Sequence, residues 1–92
     1  MKSEQTAWTR LKQFQAQVFE TVTGLKFEYV VDRMGIWIFR DGTLINRTLP
    51  WSQFVKAMES CPLQDTREIQ DLQGPSYIFG ILMDSRIRQG LW

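Results

Sequence analysis

The sequence predicts one α+β domain over residues 1–92: an N-terminal helix, a three-stranded antiparallel β-meander, then two or three short helices packed on the sheet. Three observations carry this reading. Apolar residues recur at helical spacing through the first quarter of the chain. A short segment of period-two alternation follows at 26–32. Asp41-Gly42 then separates two apolar runs, a dipeptide suited to the two left-handed positions of a tight hairpin.

The first element is read as a helix over 4–23. Trp8, Leu11, Phe14, Val18, Val22 and Leu25 fall three and four apart and share one face. Ser3 is the expected N-cap, with Glu4 beside the positive helix end. Gly24 suits the left-handed position that stops a helix. In 26–32, Phe27, Tyr29 and Val31 alternate with Glu28, Val30 and Asp32, which defines a strand with one buried face. Arg33-Met34-Gly35 turns the chain. Residues 36–40 are apolar on both faces, as a central strand covered on both sides would be. After the Asp41-Gly42 turn, residues 43–48 form the return strand.

A second helix is expected from Trp51 to Ser60, with Trp51, Phe54, Val55 and Met58 on one face and Leu49 stapled to Phe54. Pro62 ends it. Asp65 caps a short helix running through Ile69 and Leu72, and Gly74 closes that helix. Pro75 suits the first position of a further helix over 76–83, although a buried strand has a similar pattern there. The tail from Asp84 to Trp92 has no decisive pattern.

Composition narrows the function classes. The chain is 43% hydrophobic with a formal net charge of +1. A disordered segment would be less apolar, and a general nucleic-acid binder more basic. Cys61 is the one cysteine, so no intrachain disulfide forms and a reducing compartment, the cytoplasm, is expected. Met1-Lys2-Ser3-Glu4-Gln5 has no apolar run behind its charge, so no secretory leader is expected. No stretch approaches the roughly 18 apolar residues of a membrane span, and no membrane partner is expected.

The sequence contains no histidine. The commonest general base and metal ligand is therefore missing, and neither a Ser-His-Asp nor a Cys-His arrangement can be built. One cysteine without histidine makes no zinc site, and Cys61 reads as a small buried hydrophobe. Turn chemistry accounts for Asp41 and surface solvation for Asp32, and no carboxylate pair stands at a motif spacing. The glycines are dispersed, so no phosphate loop is present. No cofactor is expected, and the chain reads as non-enzymatic.

What remains are rings and guanidinium groups. Six Phe, four Trp and two Tyr make twelve large rings, more than one small core is expected to hold. Around the hairpin, Trp37 and Phe39 alternate with Arg33, Arg40 and Arg47, as on a sheet face that stacks single-stranded bases. The plainer reading is a sheet covered by helices, with arginines at its rim. A winged helix is disfavoured because the hairpin precedes most of the helices and 75–83 is apolar, with Arg86 and Arg88 beyond it. Tyr77 and Arg86 bracket that apolar segment, either as structural partners or as a ligand site. Trp37, Phe39, Tyr77, Arg86 and Trp92 are therefore the candidate interface or ligand residues.

The run Ile45-Asn46-Arg47 through Leu49, Phe54 and Ala57, followed by Gly74-Pro75-Ser76-Tyr77 and Asp84-Ser85-Arg86-Ile87, resembles small uncharacterised bacterial proteins, among them products of mobile integron gene cassettes. The resemblance spans residues 43–87. It implies a cytoplasmic, often homo-oligomeric protein and transfers no catalytic residue. The expected function is thus a homo-oligomeric interaction or regulatory protein. A nucleic-acid-binding module and a small-molecule binder with an aromatic pocket are the alternatives.

Overall fold

The structure, a computed structural model, describes residues 4–45, 48–72, 74–90 and 92. The expected cap at Ser3, the middle of the return strand at Asn46 and Arg47, and Leu91 lie outside them. The expected α+β class holds: a helix, an antiparallel meander and a set of short helices. The sheet has five strands rather than three.

Helix α1 spans Glu4–Gln13, about half the length the periodicity predicts. Ala7 and Leu11 lie in the core, and Trp8 and Phe14 pack against it. Ala16 then adopts a left-handed conformation, φ 66°, and its amide donates to the Tyr29 carbonyl, turning the chain back along the sheet. Residues 18–25 therefore form a hairpin arm, and strand β1, Phe19–Glu20, pairs with β2, Lys26–Val31. The helical reading of this segment is overturned: Val18, Val22 and Leu25 are 50%, 45% and 44% exposed, while Phe19 and Thr21 are buried. The physical reason is a second period in the same residues. Val18-Phe19-Glu20-Thr21-Val22 also alternates, it is rich in β-branched and aromatic side chains, and a neighbouring strand is available to pair with it. Gly24 has the positive φ expected of it, but in the Thr21–Leu25 turn of this hairpin rather than at a helix end.

Strand β3, Gly35–Arg40, is central and pairs with β2 on one side. Asp41 and Gly42, with φ 53° and 77°, close the predicted tight hairpin. The return strand is broken in two. Strand β4, Thr43–Leu44, pairs as Phe39↔Leu44, and β5, Leu49–Pro50, pairs as Ile36↔Leu49. The register sum rises from 83 to 85 between these pairs, so two extra residues are accommodated between the arms. The two arms therefore do not share one register with β3.

Helix α2, Trp51–Met58, buries Phe54, Ala57 and Met58. Asp65 accepts from the Arg67 amide and caps a single 3-10 turn, Thr66–Ile69, in place of the longer helix expected there. Gly74 caps the start of the next helix rather than ending the previous one. That helix, α3, spans Pro75–Leu82, and α4, Ser85–Arg88, follows with Asp84 as its side-chain cap.

Helices α1, α2 and α3 pack on β2, β3 and β1 respectively. The buried hydrophobic strand side chains all come from one alternation, Phe19, Phe27, Tyr29, Ile36, Ile38 and Leu49. Two layers result, with the core between the helices and one face of the sheet. The opposite face, which the apolar pattern of 36–40 predicts to be covered, carries no helix among the described residues.

Candidate functional site

The open face is built by register. Glu28, Phe39 and Leu44 stand in one cross-strand row, and Val30 pairs with Trp37 in the next. Glu20 pairs with Lys26 at the hairpin end. Val18 lies on the same alternation as Glu20 and lines a shallow groove of about 220 Å³ with Lys26, Glu28 and Phe39. Val18, Val30 and Leu44 are each two-fifths to one-half exposed.

The rings divide cleanly. Five are buried, Phe19, Phe27, Tyr29, Phe54 and Trp92. Five more, Trp8, Phe14, Trp51, Tyr77 and Phe79, are half-buried against the core. Trp37 and Phe39 are the two outside that cluster, and both stand on the open face. The core therefore does hold most of the ring surplus, and the remainder is concentrated in one place.

The Trp37 indole is held by a specific contact. Its N–H donates to Oδ2 of Asp32, while Oδ1 of the same carboxylate accepts from the amides of Met34 at 2.8 Å and Gly35 at 3.1 Å. The indole bond, the two turn amides and the nearby Arg33 charge hold the Asp32 carboxyl below the usual carboxylate range. Asp32 is thus a turn-forming and ring-holding group rather than a merely solvated one. The signal was an Asp two and three residues ahead of the Met34-Gly35 amides.

The other three candidates lie on the helical side. The Tyr77 ring meets Phe27 edge-on at 5.0 Å, and its hydroxyl accepts from Arg40 at 3.3 Å. Arg40 thereby reaches away from the open face, and Glu28 stands across from Phe39 there. Trp92 is 6% exposed, and its indole donates to the Leu82 carbonyl at 2.7 Å, which fixes it in the core rather than at a surface.

Arg86 is a clasp. It makes an ion pair with Asp84 at 2.8 Å, donates to the Val18 carbonyl at 2.8 Å and to Gln17 at 3.2 Å, and lies 3.8 Å from the centroid of Phe19. Partial burial disfavours the charged form of Asp84, but the hydrogen bonds and charge of Arg86 outweigh it and hold the carboxyl below the usual range. Ladder alternation turns the main-chain groups of Val18 and Glu20 to the outer edge of β1. Arg86 occupies the first of them, and Gly80 of α3 packs against the second. At the opposite edge, β4 and β5 are two residues each and β5 contains Pro50. Both edges are thereby blunted against strand addition.

Sequence reasoning found Trp37 and Phe39 and missed Val18, Val30, Leu44 and Asp32. Val30 was legible as the off-phase member of the 26–32 alternation; Val18 was hidden by the helical stripe. No family model matches the chain, and no curated protein and no solved structure matches it either. No helix among the described residues is long and apolar enough to cross a membrane.

Proposed function

We propose that the chain is a non-enzymatic interaction protein that works as a homo-oligomer, two copies joined through their open sheet faces. The observation that carries this reading is that Trp37 and Phe39, the two rings outside the core, stand together on the one sheet face without a helix over it. Tryptophan and other large rings are the anchors that desolvated interfaces favour. Blunted edges leave the face, rather than strand addition, as the route to assembly.

The charges on the face support a second copy as its occupant. Lys26 stands among Glu20 and Glu28, so the face carries both signs around an apolar row. A two-fold contact brings a surface against itself and needs that mixture. A nucleic acid needs an excess of cations to neutralise phosphates, and among the described residues of the paired rows Glu20 and Glu28 outnumber Lys26. The shallow groove of about 220 Å³ gives less support to an enclosed ligand.

Light scattering and sedimentation velocity at high micromolar concentration test the proposal. The expected result is a dimer for the wild type. Val30→Lys, at a 41% exposed position, is expected to be a folded monomer whose melting temperature, unlike that of the wild type, does not depend on protein concentration. A wild-type monomer at high micromolar concentration removes the proposal.

A further inference from the structure

We infer that Asp32 is the positioning residue of the open face, holding the Trp37 indole in the orientation in which a second copy meets it; this rests on the self-association proposed above. The two oxygens of the carboxylate have separate tasks. Oδ1 accepts from the Met34 and Gly35 amides and shapes the β2–β3 turn, while Oδ2 accepts from the Trp37 indole N–H. Trp37 is half-buried, belongs to no part of the core cluster and stands across from Val30, itself partly exposed. The hydrogen bond to Asp32 is therefore the polar contact that ties this ring to the turn. A contact ring already fixed in place loses less conformational freedom on association than one that must be ordered by the partner.

The arrangement also explains the residue types. Asp in the first position of the turn is satisfied by two amides, which fixes the carboxylate relative to the backbone before the indole is added. A carboxylate anchored at one oxygen presents the other in a fixed direction. Trp37, five residues on, falls on the opposite strand of the same hairpin within its reach. Arg33, in the same turn, is the charged neighbour that favours the ionised carboxyl.

Asp32→Asn isolates the second task. The amide oxygen still accepts from the two turn amides, but an NH₂ donor replaces the oxygen that faces the indole donor. Trp37→Phe removes the donor and keeps a ring. Self-association is measured by sedimentation for the wild type, both single variants and the double variant. Asp32→Asn is expected to weaken the dimer about tenfold, the combined effect of leaving one large side chain unfixed in each of the two copies. In the Trp37→Phe background the same change is expected to have no further effect. Equal weakening in both backgrounds, or none in either, overturns the inference. Indole N–H resonances in ¹⁵N-labelled protein separate this result from the oligomer question. In the wild type, monomer or dimer, the Trp37 indole proton is expected to be shifted and slow to exchange, and Asp32→Asn is expected to abolish both. A fast-exchanging wild-type Trp37 indole overturns the positioning role even if the protein is a dimer. A monomeric wild type with a protected indole supports the positioning and removes only the self-association.

Discussion

Gly80 of helix α3 lies against the carbonyl of Glu20 in strand β1: a Cβ built on the glycine would stand 2.3 Å from that oxygen and 3.2 Å from the Phe27 ring. The approach lets an apolar helix cover the edge strand without a gap. Helix propensity alone predicts that Gly80→Ala stabilises the protein by about 1 kcal/mol. The contact predicts the opposite, because the obstacle is backbone and cannot rotate away. Chemical denaturation is expected to show a loss of about 1–3 kcal/mol, the usual range for overpacking. A more stable Gly80→Ala protein is incompatible with this packing.

Residues 14–25 offer a direct discrimination between two periodicities. In the helical pattern Val22 faces the core and Phe19 does not; in the hairpin Phe19 is buried beside Tyr29, with ring centroids 5.1 Å apart, and Val22 is exposed. Phe19→Ala is expected to lose about 3–5 kcal/mol, as large-to-small core changes do. Val22→Thr is expected to stay within about 0.5 kcal/mol of wild type. Urea unfolding of the two variants measures the difference, and the reverse order would restore the long helix.

Much of the architecture was legible because local and tertiary signals agree. Asp41-Gly42 predicts its own dihedral angles, Pro75 starts α3, and the alternation of Phe27 and Tyr29 names the buried face. The segment after Gln13 was not legible, since Val18, Val22 and Leu25 fit a helix while Phe19 and Thr21 fit a strand. Pairing with β2, a non-local contact, decides between them. Trp37 and Phe39 were recognisable as candidates from residue type. Tyr77, Arg86 and Trp92 share that chemistry but are spent on internal contacts, which only the tertiary structure reveals.

The clasp predicts a stability cost that charge alone does not describe. Arg86→Ala removes the bond to the Val18 carbonyl, the Asp84 pair and the ring contact with Phe19 together. Because the side chain is one-third exposed, solvent screens part of this, and a loss of about 1–2 kcal/mol is expected. Arg86→Lys keeps the charge but not the planar fork that reaches both partners, so it is expected to recover little of the loss. Thermal denaturation of the two variants tests both statements. Arg86→Ala is also expected to aggregate more readily, because the outer edge of β1 loses its cover.

Acid sensitivity follows from the same pair. The folded protein holds the Asp84 carboxyl below its ordinary value, so the ionised form is favoured more in the folded than in the unfolded state. Such a group adds stability above the unfolded carboxylate pKa of about 4, and that contribution fades as pH falls through the folded value. The melting temperature is therefore expected to fall between about pH 5 and pH 3. Asp65, paired with Arg67, is displaced in the same direction, but its partner's side chain is 86% exposed and screened by solvent, so it adds little. Asp84→Asn keeps an oxygen that can cap the Arg86 amide but removes the titrating group. It is expected to be less stable than wild type at neutral pH and to show a shallower decline in acid, so that the two melting curves approach each other as pH falls below the unfolded carboxylate pKa of about 4. Parallel decline of both proteins would place the acid sensitivity elsewhere, with Asp32 the first alternative because its carboxyl is displaced in the same direction by the Trp37 indole.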